Sequence, residues 1–342
     1  MARLDDKLRA RREQSKAEAS LSHFPVLPAL VPGDVLRIAA CDGGVARERL
    51  RDVREGLVVV ARILVGEGLT ASVRKDDDFG MDVVGAMANA LVRHAQDEWR
   101  RSLSGSSLSL GERLDRVLTR HSRQRLTSWY WATMLLGPRR AGRVDDAAEP
   151  LSDWLSHGLQ VPSEVRRARE FFSSDEFRGH LSTRRVGSSE YRALEAVLSR
   201  RGARDFNTGE RISTRRMFAP AEPTLAVDVH HLIPRRWSMV STLRKELQDR
   251  VDRLANLTPL AQATNIRIAN IAPASYIREF AREDPGGSEE GIDAMLMQHL
   301  VEPRLLRALS DDASNLDARV ERFLDQRLTQ IVVEFRALIG AT

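Results

Sequence analysis

The chain has 342 residues, with 53 Lys plus Arg against 48 Asp plus Glu and 42% apolar residues. That balance excludes an intrinsically disordered chain, and the length allows two or three domains with a sizeable core. The single cysteine, Cys41, excludes an internal disulfide and a Cys-x-x-Cys zinc site, while a net charge of +5 mildly favours an anionic partner.

Residues 1–20 read as a charged helix. They hold no apolar core of a signal peptide, and the longest apolar run, GLVVVARILVGEGL, is broken by Arg62 and too short to span a bilayer. The expectation is a soluble cytoplasmic protein with no membrane contact. Pro32 and Gly33 precede Asp34, a stop followed by an N-cap for a short helix that ends at Gly43 and Gly44, with Cys41 a buried thiol inside it. Apolar residues at Leu50, Val53, Leu57, Val60, Ile63 and Leu64 predict an amphipathic helix over 45–67, and Met81, Val84, Met87 and Leu91 another over 80–102. A Ser/Gly-rich loop at 102–112 leads into a helix over 111–136, whose Trp129, Tyr130 and Trp131 read as a core anchor. Helices follow around 151–159, 161–172 and 188–200.

The texture changes after Gly202. GARDFNTGERI is loop-rich, with Asn207 and Gly209 as turn residues. LAVDVHHLI alternates as a strand does. The stretch 243–254 is a charged helix or an insertion, LTPL a short apolar turn or strand, and 262–281 a helix broken near Pro273. Helices over 291–308 and 314–340 close the chain, the last periodic through Val320, Phe323, Leu324, Leu328, Ile331 and Phe335.

Chemistry concentrates in that middle region. VDVHHLIP places Asp228 and His230 on one face of a strand, His231 on the other, and Pro234 at a bend; Asn256 and Asn265 bracket NLTPLAQATN. Histidine, with an ordinary pKa near 6.5, is suited to taking a proton from water at neutral pH. Arg235, Arg236 and Arg267 offer positive charge for phosphate, and residues 164–216 carry 13 arginines against 8 acids. Asn270 reads as a helix cap and Tyr276 as a core aromatic.

The pattern D-x-H-H, a proline three residues on, N-L-T and a further asparagine resembles the HNH (ββα-metal) nuclease site. More widely, GARDFNTG, VDVHHLIP, NLTPL and TNIRIANIAPASY resemble the C-terminal half of GmrSD-type restriction nucleases, with weaker likeness from VPGDVLR through SWYWATMLLG. The resemblance implies roles. His231 is the general base, His230 ligates a metal, and Asp228 joins it or stands behind it. Asn256 positions the base and braces the hairpin, and Asn265 supplies a second ligand. The implied ion is divalent, Mg²⁺ or Mn²⁺ before Ni²⁺ or Zn²⁺. Two departures stand out. The family's ParB-like nucleotide-handling domain has no counterpart here, which implies a separate partner protein, another control, or a partial chain. The family's basic and hydroxyl positions on the last helix are Ile266 and Ala269.

The expected fold is mainly α: a helical domain over 1–200, an HNH module over 201–290, and C-terminal helices over 291–342. The expected function is metal-dependent hydrolysis of DNA, including modified or phage DNA, in a bacterial defence system, with a homodimer and a ParB-like protein as candidate partners. A non-catalytic DNA-binding or regulatory protein that keeps the hairpin, and an RNA nuclease acting on tRNA, stand as alternatives.

Overall fold

The computed structural model describes residues 45–67, 78–101, 108–141, 147–213, 226–283 and 289–340. The expected helices before residue 45, with Cys41, lie outside the described residues. What is described is mainly helical: fifteen α-helices and one two-stranded antiparallel hairpin.

The chain divides into two compact units, the first reaching Arg167 and the second running from Ala168 onward with Glu67 added. The hairpin and the C-terminal helices fall in the same unit.

In the first unit, α1 (Val45–Gly66), α2 (Asp78–Arg101), α3 (Leu110–Val117), α4 (Arg120–Ala141) and α5 (Ala148–His157) pack around α2. Val83, Val84, Met87, Leu91 and Ala95 form the buried stripe of α2, at the three- and four-residue spacing that places side chains on one helical face. Gly56 lets α1 approach closely, since a Cβ there would lie 3.0 Å from the Ala88 carbonyl oxygen. Trp129, Tyr130 and Trp131 are all buried, and Trp129 Nε1 donates to Glu164 Oε2 at 3.3 Å, so the aromatic run is a core anchor. The single helix expected over 111–136 is two. Ser109 and Glu112 form a reciprocal capping box on α3, and Thr119 Oγ1 accepts from Ser122 N at the start of α4.

The second unit follows α6 (Ser163–Ser173), which crosses the division. It holds α7 (Asp175–Ser182), α8 (Ser189–Arg200), β1 (Val227–His231), α9 (Arg235–Val240), α10 (Lys245–Arg250), a 3₁₀ turn (Leu254–Asn256), β2 (Leu257–Ala261), α11 (Gln262–Ile268), α12 (Pro273–Glu283), α13 (Glu289–Gln298), α14 (Pro303–Arg307) and α15 (Leu316–Leu338). Helix α7, not expected from the sequence, starts at Ser174 and buries Phe177 and Leu181. The helix expected over 291–308 is broken by Leu300, whose positive φ of 58° sends the chain out of the helix before Pro303. Helix α15 backs the whole unit, burying Val320, Phe323, Leu324, Leu328, Ile331 and Phe335 and packing on α7, α8, α10, α14 and the 3₁₀ turn.

Candidate functional site

β1 and β2 pair with His230 opposite Thr258 and His231 opposite Leu257. α11 follows β2 without a gap, which completes a ββα unit. Pro259 sits in β2 opposite Val229; among the described residues each strand has only one neighbour, so a residue without N–H is tolerated there.

Asn256 holds the turn after β1. It is fully buried; its Oδ1 accepts from Ile233 N at 2.8 Å, and its Nδ2 donates to the carbonyls of Ile233 at 3.0 Å and Val251 at 2.9 Å. Leu232 N donates to the Asn256 carbonyl at 2.9 Å, and Tyr276 Oη donates to the Leu232 carbonyl at 2.7 Å. The segment carrying both histidines is therefore fixed from two sides. Tyr276, wholly buried, is a core aromatic as expected, with a polar end on the hairpin.

His230 points inward and is 2% exposed. Burial pushes its pKa down to about 4, with the Asn265 hydrogen bond opposing, so the ring is neutral. In that state Nδ1–H donates to Asn265 Oδ1 at 2.8 Å and the buried Nε2 has no hydrogen-bond partner. Asn265 Nδ2 in turn donates to Asp228 Oδ2 at 3.5 Å. The three residues expected around a metal thus meet.

His231 turns to the other side. Its Nε2 lies 3.1 Å from Asp252 Oδ1, and the same carboxylate oxygen accepts from Arg235 Nε at 3.0 Å. Burial holds the His231 pKa below the usual histidine value; Asp252 pulls it up and Arg235 pushes it down. His230, His231, Pro234, Arg235, Arg236 and Asn265 line a cleft of about 430 Å³, with Ile266 and Ala269 as its apolar wall. Ile266 is 69% exposed. Arg267 does not line this cleft. Its guanidinium is held by Glu279 and by Glu283, donates to Asn207 Oδ1 and lies over the Phe280 ring, so its charge is already matched by two carboxylates.

Behind the hairpin stands a buried polar layer. Asp205, 0% exposed, accepts from Asn207 N, Thr208 N and Thr264 Oγ1 on one oxygen and from Ala261 N on the other. His299 Nδ1 lies 2.6 Å from Thr258 Oγ1 and its Nε2 2.9 Å from the Arg204 carbonyl. Arg327, 1% exposed, donates to the carbonyls of Ala255 and His299.

Sequence reasoning assigned no role to Asp252, Asp205, His299 or Arg327. Asp205 was legible, because Asp followed by Asn and Thr is a turn in which the side chain caps its own backbone. Arg327 was legible too, as a charge within the apolar stripe of the last helix. Asp252 and His299 leave no such mark.

Among the described residues no three His, Cys, Asp or Glu side chains cluster as a metal site. The donors here are one imidazole, one amide oxygen and a carboxylate behind the amide. The neutral ring with its unpartnered buried Nε2, and the Asn265 amide oxygen beside an open cleft, offer donor atoms for one divalent ion that keeps most of its positions for water or substrate.

No family model matches the chain. An uncharacterised protein of Methanocaldococcus jannaschii, MJ0686, is 22% identical over 234 residues, which cover 63% of this chain and 37% of that protein. The chain therefore matches well under half the length of this relative. No described helix is long and apolar enough to cross a membrane.

Proposed function

We propose that this protein is a metal-dependent HNH endonuclease that hydrolyses DNA phosphodiester bonds in a defence system. The observation that carries the reading is that β1, the 3₁₀ turn and α11 bring Asp228, His230, His231, Asn256 and Asn265 into one ββα unit, whose cleft is lined by His230, His231 and Asn265 together with Arg235 and Arg236.

His231 is neutral near pH 7, as a base must be. Donation of Nε2–H to Asp252 leaves the Nδ1 lone pair to take a proton from water. Asp252 also stabilises the imidazolium that results. Arg235 and Arg236 bring positive charge to the cleft for the substrate phosphate. Asn256 keeps the base in register with the cleft. A divalent ion, Mg²⁺ or Mn²⁺ in the first place, would be held by His230 and Asn265 and would neutralise charge on the phosphate. The proposal leaves Arg267 out of substrate binding. A homodimer and a separate ParB-like partner rest on the resemblance alone.

The test is cleavage of supercoiled plasmid, modified and unmodified, and of tRNA by purified protein with Mg²⁺ or Mn²⁺. We expect DNA cleavage that His231→Ala lowers by about 10²–10⁴-fold without unfolding the protein. Absence of cleavage on every substrate sinks the reading; cleavage of tRNA alone makes it an RNA nuclease.

A non-catalytic hairpin is the second reading. It is favoured by the closed His230–Asn265 contact and by the apolar wall of Ile266 and Ala269. Thermal melts separate the two, since a nuclease site gains stability from Mn²⁺ only while His230 and Asn265 are intact.

A further inference from the structure

We propose that the helical first unit carries a second binding site, for a nucleotide. It is independent of the nuclease reading. The facing parts of α2, α3, α4 and α5 line an open cleft of about 470 Å³, within the range of small-molecule sites.

Its wall gathers Arg113, Arg116 and Arg125 against one acid, Glu98. Three guanidinium groups on one cleft make its wall predominantly positive, which suits an anion. Two of the three are fixed in place. Arg125 Nη1 donates to the carbonyls of Trp154 at 2.9 Å and Leu155 at 3.1 Å, at the end of α5. Gly158 makes this possible, since a Cβ there would sit 2.2 Å from Arg125 Nη2, and its positive φ of 71° suits glycine. Arg113 lies 4.1 Å from the Trp99 ring centroid and donates from Nε to the Leu108 carbonyl at 3.0 Å. Arg116 is exposed and reaches the same cleft.

The floor is polar and ordered. His94, 6% exposed, lies with Nδ1 2.7 Å from Ser156 Oγ, whose own proton goes to the Ser152 carbonyl. Inorganic phosphate alone would use the arginines and leave most of the cleft unfilled. A nucleotide uses both parts: phosphates meet Arg116 and Arg125, and a flat base meets the Trp99 and Arg113 planes. The chemistry is the same for a free nucleotide and for a 5′-phosphorylated strand end.

Calorimetric titration of the full chain with the four nucleoside diphosphates, a 5′-phosphorylated dinucleotide, adenosine and inorganic phosphate tests this. We expect saturable binding of a nucleoside diphosphate or of the dinucleotide, and which of them binds identifies the source. Phosphate and adenosine should each bind at least about tenfold more weakly, a difference of about 1.4 kcal/mol. Arg116→Glu and Trp99→Ala should each weaken binding at least about tenfold, with circular dichroism unchanged. His231→Ala should bind as the unaltered protein does, so failure of this site and failure of the nuclease are separately visible. No saturable binding, phosphate binding as tightly as nucleotide, or unchanged affinity in both variants overturns the proposal.

Discussion

His299 is a histidine that the fold keeps uncharged. It is wholly buried between Thr258 and the Arg204 carbonyl, and burial pushes its pKa down to about 3 from the usual 6.5. The unfolded chain therefore takes up a proton as pH falls below about 6.5, while the folded chain does not until about 3. Its contribution to stability is complete above that upper value and is lost as the pH drops through the window, by up to about 1.4 kcal/mol per pH unit. Urea melts at pH 7.5, 6 and 5 should show this slope, and His299→Gln should flatten it. Asn256 works without charge. Asn256→Ala would leave the Ile233 N–H and the carbonyls of Ile233 and Val251 unpaired in the interior. We expect a loss of about 3 kcal/mol, measured as a lower urea midpoint at constant slope. Cleavage should fall even where the variant is mostly folded, because the same bonds fix the turn after His231.

At the scale of elements, the hairpin depends on a turn that precedes it by some twenty residues. Asp205 closes its own turn at Asn207 and Thr208 and reaches across to Ala261 N and Thr264 Oγ1, which join β2 to α11. Asp205→Ala removes the acceptor for four donors, and a destabilisation of about 3 kcal/mol is expected. Faster amide exchange should appear at Ala261 before it appears in α15, since the break is local. Much of this level was readable beforehand. The alternation of VDVHH, the helix break before Pro273 and the apolar spacing of the last helix each follow from side-chain period and proline geometry. The split between α3 and α4 was missed although Thr119 is a good N-cap, because the apolar period runs on through it. α7 was missed because eight residues give a period little room. Of the site, the residues on the ββα unit were legible as a spacing pattern. Asp252 was not, since its partnership with His231 exists only after the chain folds back.

For the second unit as a whole, the decisive residue lies far along the chain from the cleft. Arg327, on α15, enters the interior and is held there by backbone carbonyls, and burial lowers its pKa to about 9. It binds the Ala255 carbonyl, next to Asn256, and the His299 carbonyl at the end of α13. Arg327→Ala leaves those carbonyls unpaired and opens a void. A loss of at least about 3 kcal/mol in a thermal or urea melt is expected. Exchange at the 3₁₀ turn should quicken with it, which a purely local role in α15 would not produce.

The reach of that one guanidinium also bears on how such a protein can be recombined. The segment that looks like a self-contained cutting module, 201–290, leaves its internal fastening behind when it is lifted out, because Arg327 and His299 lie beyond its end. Transplanted alone it would carry every residue of the cleft and lose the clamp on the Ala255 carbonyl beside Asn256. Chimaeras joined near residue 168, where the compact units divide, keep hairpin and tail on one inheritance. Those joined between the hairpin and α15 separate them, and a library of fusions should yield folded members from the first kind of junction only.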